Sequence, residues 1–132
     1  MRKIAFMVIL LSVLALVLSA CGGEAADPAA KAVKDYLNAL VGKDSTKLSA
    51  LSCASWESSA MLELDSLQAV KTRLDGLSCK TTSSTGSTSQ VNCQGKIMAT
   101  YNGEDQALDV SVRTYKVEKQ GGDYLVCGYS NK

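Results

Sequence analysis

The sequence predicts an α+β domain in which helices come first and a four-stranded antiparallel sheet follows. Three observations carry this. Between residues 28 and 74, apolar side chains recur at three- and four-residue steps. From Leu77 onward the period falls to two. Turn-forming dipeptides punctuate the second half, and no repeat or boundary divides residues 28–132.

Ahead of that domain, residues 1–20 read as a removable signal peptide. Arg2 and Lys3 form a positive n-region, and residues 4–18 form an apolar run broken by one serine. Its length approaches the roughly 20 residues of a spanning helix, so the flank decides. Leu18-Ser19-Ala20-Cys21 places small residues directly before a cysteine. This resembles a bacterial lipobox, which implies a diacylglyceryl group on the Cys21 thiol and cleavage just before it. Two acyl chains on one residue make a stable anchor, whereas one chain holds a protein only marginally. Residues 21–27 are then the lipidated cysteine and a flexible tether. Gly22 rather than Asp after the cysteine resembles lipoproteins sent to the outer membrane, where the source has two membranes. The expected location is the cell envelope, outside the cytoplasmic membrane, with that membrane as the first partner.

Asp27-Pro28 starts the first helix, a capping side chain followed by proline at the first helical position. Val33, Tyr36, Leu37, Leu40 and Val41 form its apolar stripe. Gly42 fits the left-handed position that ends it. Asp44 caps a second short helix with Leu48 and Leu51 inward, and Cys53 falls at or just beyond its end. Residues 55–74 continue the helical spacing through Trp56, Ala60, Leu64, Leu67, Val70 and Leu74, and Gly76 stops it.

The first strand begins at Leu77-Ser78-Cys79-Lys80, and residues 83–89 read as a loop. Val91, Cys93, Gly95, Ile97, Ala99 and Tyr101 alternate with polar neighbours, apart from Met98, as in a half-buried strand. Asn102-Gly103 is the signature of a type I′ hairpin. With those two residues as the loop, Ile97 faces Leu108, Gly95 faces Val110 and Cys93 faces Val112, so apolar meets apolar on one face. A turn at residues 120–123 leads to a last strand at residues 124–129.

Without residues 1–20, 112 of the 132 residues remain, and 12 Lys+Arg stand against 13 Asp+Glu, a balance of −1. There is no basic surplus to hold nucleic acid. The chain has no histidine, so the commonest general base and transition-metal ligand are missing. No cofactor is expected.

Setting Cys21 aside leaves Cys53, Cys79, Cys93 and Cys127, an even number that in an exported chain implies two disulfides. No Cys-x₂-Cys pair and no histidine are present to build a zinc site, so no metal is expected. A loop centred on Gly86 sets Cys79 opposite Cys93. A turn centred on Gly121-Gly122 sets Cys127 opposite Lys116, two strand steps of ~4.8 Å from Cys93. That exceeds the ~7 Å a disulfide tolerates between Cα atoms. The register therefore favours Cys79–Cys93 with Cys53–Cys127. One bulge would shift a face, and Tyr115 and Val117 have the opposite parity to Val112. Cys53–Cys79 with Cys93–Cys127 is then the alternative.

The stretch AVKDYLNALVGKD, a second helix, and a meander carrying YNGED and GGDYLVCGY resemble small NTF2-like (cystatin-like) lipoproteins of the DUF4878 type. The resemblance covers roughly residues 28–130 and is most telling in AVKDYLNAL. It implies a curved antiparallel sheet wrapped around helices, leaving a conical pocket.

Two classes of function are in view. The favoured one is a non-catalytic binding or interaction module that holds an unknown envelope protein or a small apolar ligand. Tyr115, Tyr124, Met98 and Val126 are its candidate interaction surface on the outer sheet face, unless a bulge turns Tyr115 into the core. Trp56 is the candidate lining of a pocket mouth, or else an apolar anchor between layers. The alternative is an isomerase-like enzyme, which needs a carboxylate beside a tyrosine inside the cone. Asp109, Glu63 and Asp65 are the carboxylates in plausible regions, and the spacing places all three toward solvent.

Overall fold

The computed structural model describes residues 26–132. The signal-peptide and lipidation readings, at residues 1–20 and at Cys21, lie outside the described residues.

Helix α1 spans Pro28–Val41. Asp27 caps it by accepting from the Ala30 N–H at 3.0 Å. The same carboxylate accepts from the Thr81 N–H at 2.8 Å and the Thr81 hydroxyl at 2.6 Å, 54 residues away. Desolvation pushes the Asp27 carboxyl up, yet the hydrogen bonds from Thr81 and Ala30 outweigh it and hold it below its ordinary value. The inward stripe is Val33, Tyr36, Leu37 and Leu40, all at 0% exposure. Gly42 does not take the left-handed position expected of it: its φ is −77°, and Lys43 adopts φ +56° instead. The Lys43 ammonium then reaches the Val70 carbonyl at 2.6 Å, which holds the side chain where the turn directs it.

Helix α2 is Ser45–Ala50, capped by Asp44 at the Lys47 N–H. Helix α3 is Glu57–Ser66, shorter than the helical pattern over residues 55–74. A turn follows at Leu67–Val70, and strand β1 runs from Lys71 to Thr85. Leu74 therefore belongs to a strand, opposite Ile97. It satisfied the helical spacing only because an inward strand position recurs at a compatible interval.

Strand β1 pairs with β2, Thr88–Tyr101. Only Gly86 and Ser87 lie between them, so most of the loop expected at residues 83–89 is strand. Asn102 and Gly103 form the next turn, at φ +50° and +79°, the pair of positive values a type I′ turn requires. Strand β3, Glu104–Asp109, then pairs with the second half of β2 in the expected register, Ile97 facing Leu108.

The expected pairing ends there. Asp109 accepts from the Ser111 N–H at 2.8 Å and starts a 3₁₀ turn over Val110–Val112. Strand β4, Arg113–Gln120, resumes along the first half of β2, with Val91 facing Tyr115. One predicted strand is thus two, set in line along β2, which makes five strands in all. The 3₁₀ turn reverses the parity of β4. Tyr115 and Val117 point inward at 0% exposure, while Val112 is exposed.

Strand β5, Asp123–Asn131, pairs with β4. Val117 faces Val126 but Lys116 faces Gly128, so Cys127 is the extra residue of a β-bulge. On the far side of β5, the Val126 N–H donates to Leu51 and the Cys53 N–H donates to Val126. Residues 51–53 therefore seal that edge. Cys53 and Cys127 are bridged across it with Cα atoms 4.9 Å apart, and Cys79 and Cys93 are bridged across β1 and β2 at 4.0 Å.

The sheet's inner face contributes Val91, Cys93, Ile97, Tyr115, Val117 and Val126, each at 1% exposure or less, and α1 lies against it. The architecture is α+β, with helices followed by a five-stranded antiparallel sheet.

Candidate functional site

A cluster of polar and aromatic side chains lies where α1, α3, β4 and β5 meet. Arg113 and Tyr115 stand two apart on β4, so both project inward. Tyr129 is the cross-strand partner of Tyr115, their rings 5.6 Å apart. Tyr36 comes from the buried stripe of α1, Trp56 from the residue preceding α3, and Glu63 from α3.

The Arg113 guanidinium pairs with Glu63 at 2.8 Å, and both side chains are mostly buried, at 17% and 18% exposure. It also stacks over the Tyr129 ring, 4.0 Å from the centroid, a geometry in which the ring face attracts the cation. Trp56 meets Tyr129 edge-on at 5.5 Å and donates from Nε1 to the Tyr36 hydroxyl at 3.0 Å. Beneath the indole lies Gly128, at φ +132°, where a Cβ would come within 3.3 Å of the ring. Two buried oxygens of the cluster, Glu63 Oε2 and Tyr115 Oη, have no hydrogen-bond partner.

Desolvation pulls the Arg113 guanidinium down, but the Tyr115 hydroxyl and the Glu63 charge together push it above its ordinary value. It therefore stays charged. Burial raises the hydroxyls of Tyr36, Tyr115 and Tyr129, so all three stay protonated. The group is one fixed cation, one carboxylate and three neutral phenols.

Glu63 is where sequence reasoning missed. Its spacing placed it toward solvent, but it sits beside the Leu64 stripe and turns inward to Arg113. The signal lies 50 residues away, in a strand whose parity depends on the 3₁₀ turn. Asp65 and Asp109 are exposed, as their spacing implied. Trp56 is an anchor between α1, α3 and β5.

The expected outer-face surface breaks up. Tyr115 and Val126 are fully buried, because the 3₁₀ turn reverses the parity of β4 and carries its partner on β5 inward with it. Met98 and Tyr124 are half-buried. Tyr124 lines two surface recesses beside Pro28, of about 380 and 270 Å³. Cys53, Cys127 and Glu118 come within ligand distance of one another, but the two sulfurs are spent on each other.

Two disulfides fit folding in an oxidising compartment. Among the described residues no helix is long and apolar enough to cross a membrane.

No protein-family model matches the chain, and no curated protein matches it. Solved structures do. A SEC-C motif containing protein from Rhodopseudomonas palustris is 12% identical with a TM-score of 0.55, over 81% of this chain and 82% of that one. Aln2 from a Streptomyces species is 10% identical with a TM-score of 0.55, over 77% and 85%. At such identities the likeness is one of fold.

Proposed function

We propose that the chain is a lipoprotein with an NTF2-like domain, acylated on Cys21 and held in the cell envelope as a non-catalytic interaction module. Where the source has two membranes, the outer one holds it. The observation that carries this reading is the filled interior. Tyr36, Leu37, Leu40, Tyr115 and Val117, all at 0% exposure, occupy the space a conical pocket would need. A domain whose cone is packed with its own side chains acts through its surface. The lipobox pattern and the two disulfides support the envelope location.

The test is thermal denaturation of the mature domain against a broad set of apolar envelope molecules, with Trp56 fluorescence followed in parallel. The reading expects no shift. A saturable rise in stability with a change in fluorescence would replace it by ligand binding.

A second reading rests on Glu63, a carboxylate close to buried tyrosines, as an isomerase-like base would be. Arg113 speaks against it, because one carboxylate oxygen is already committed. Proton exchange from a ketosteroid that depends on Glu63, and is lost in Glu63→Gln, would favour it.

A further inference from the structure

A strand without a neighbour presents a row of unpaired N–H and C=O groups, a template for another strand unless it is shielded. Two edges of this sheet are shielded. Beyond β5, residues 51–53 take the Val126 N–H and the Val126 carbonyl. At the other edge, β1 is irregular between Asp75 and Ser78 and again between Thr81 and Ser83, and its Thr81 N–H is taken by Asp27.

Strand β3 has no such shield. It pairs with β2 on one side, and among the described residues no strand pairs with its other side. Its register along β2 is unbroken from Glu104 to Asp109, so no bulge turns the edge away. Its sequence, EDQALD, holds neither lysine nor proline, the residues that commonly guard an edge. The carboxylates on its outer face are already answered within the chain. Asp105 holds Arg73 at 3.0 Å and accepts from the Thr100 hydroxyl. Asp109 accepts from the Ser111 N–H and lies opposite Lys96. The outer face of β3 therefore neither selects a basic strand nor repels an identical one.

The two-residue turn at Asn102-Gly103 makes Tyr101 and Glu104 a hydrogen-bonded pair. The backbone groups of Glu104, Gln106 and Leu108 therefore point to β2, and those of Asp105, Ala107 and Asp109 point to the open side. A second β3 running antiparallel fits this pattern. A two-fold axis normal to the sheet sets inner residues beside inner residues, so only alternate registers are allowed. With the axis at Gln106, that residue faces its own copy. Asp105 then exchanges both backbone hydrogen bonds with Ala107 of the second copy, and Glu104 faces Leu108, so no carboxylate faces another. Moving the axis to Asp105 sets that carboxylate against itself, and moving it to Ala107 sets Asp105 against Asp109. The lane that the added strand takes is open: β5 fills it only as far as Asn131, opposite Arg113.

We propose that β3 is the interface at which two copies of this chain join, edge to edge and antiparallel about Gln106, into one continuous sheet. This pairing deepens the reading of an interaction module by giving it a partner, and it does not depend on acylation of Cys21.

The test is cysteine crosslinking in cells that express the full chain with its own leader. Linked peptides are identified by mass spectrometry, which separates the new linkage from Cys21 and from the two native bridges. Facing residues at a non-hydrogen-bonded position have Cα atoms about 4.5 Å apart, inside the range of about 4.4–6.8 Å that a disulfide tolerates. Gln106→Cys should therefore link to its own copy under mild oxidation. Glu104→Cys should link about tenfold less, because its own copy lies about 13 Å away. Ala107→Pro, added to Gln106→Cys, removes an N–H that points to the second copy and none that β2 uses. Linkage should then fall about tenfold, while the near-ultraviolet circular dichroism of the purified chain stays unchanged. Equal linkage at positions 104 and 106, linkage of position 106 to a different protein, or no linkage overturns the interface. Linkage that survives Ala107→Pro in a folded chain overturns it as well. The comparison of positions 104 and 106 decides the matter even where the proline variant fails to fold. Thermal shifts with apolar molecules read the interaction module separately, so either result can fail alone.

Discussion

Strands β3 and β4 lie in line along one neighbour, β2, and differ in almost everything else. All six residues of β3 are exposed. In β4, Tyr115 and Val117 reach 0% exposure, and a further strand, a bulge and a bridge to residues 51–53 continue the sheet beyond it. The sequences already differ: β4 alternates Tyr115 and Val117 with polar neighbours, while β3 sets its two apolar residues, Ala107 and Leu108, side by side. Cover separates them further. Helix α1 packs against β1, β2, β4 and β5, and β3 lies outside that cover. Alternation selects which face turns inward, and a second layer decides whether that face is dry.

The contrast is sharpest if the sewn part is unpicked. Replacing Cys53 and Cys127 together by serine frees a loop of 74 residues, and should lower unfolding free energy by about 4 kcal/mol. The same treatment of Cys79 and Cys93, 14 residues apart, should cost about 3 kcal/mol. Denaturant midpoints of the two double variants check both the size and the order.

In the covered layer, Leu37→Ala should cost about 3 kcal/mol, within the range for a buried leucine. Glu63→Gln leaves Arg113 without its anionic partner in a mostly buried position, and should cost about 2 kcal/mol, the scale of a hydrogen bond to a charged group. Asp27 adds a pH dependence. Its carboxyl is held below the ordinary value, so its contribution is complete above the usual carboxylate range and fades as pH falls through the folded value. Asp27→Asn should flatten that acid limb of a stability–pH curve. At the open end, Leu108→Ala should change stability by less than about 0.5 kcal/mol. A loss as large as that of Leu37→Ala would mean β3 is covered after all.

Much of this fold was legible in the residues. Asn102-Gly103 fixed a hairpin whose register holds from Tyr101 to Asp109, because turn chemistry acts locally. The capped starts at Asp27 and Asp44 were equally local. One error comes from a spacing compatible with two structures. Leu67, Val70 and Leu74 fit a helix, while Thr72 and Leu74 also fit a strand, and only pairing with Ala99 and Ile97 decides. The 3₁₀ turn had a signal in Asp109-Val110-Ser111, since a short acidic side chain that bonds two residues ahead diverts the backbone. Read as a turn, it would have put Tyr115 and Val126 in the core. The Glu63–Arg113 pair had no such signal, because it depends on how a helix and a distant strand come to rest against each other.

Gly128 and Trp56 share one small volume, and that has a consequence for ancestry. A side chain at position 128 would meet both the indole face and an unfavourable φ of +132°, so position 128 cannot drift while the indole stays. Among descendants of a common gene, those that keep the indole at position 56 should keep glycine at 128. Lineages that abandon glycine at 128 should be found to have abandoned the indole as well.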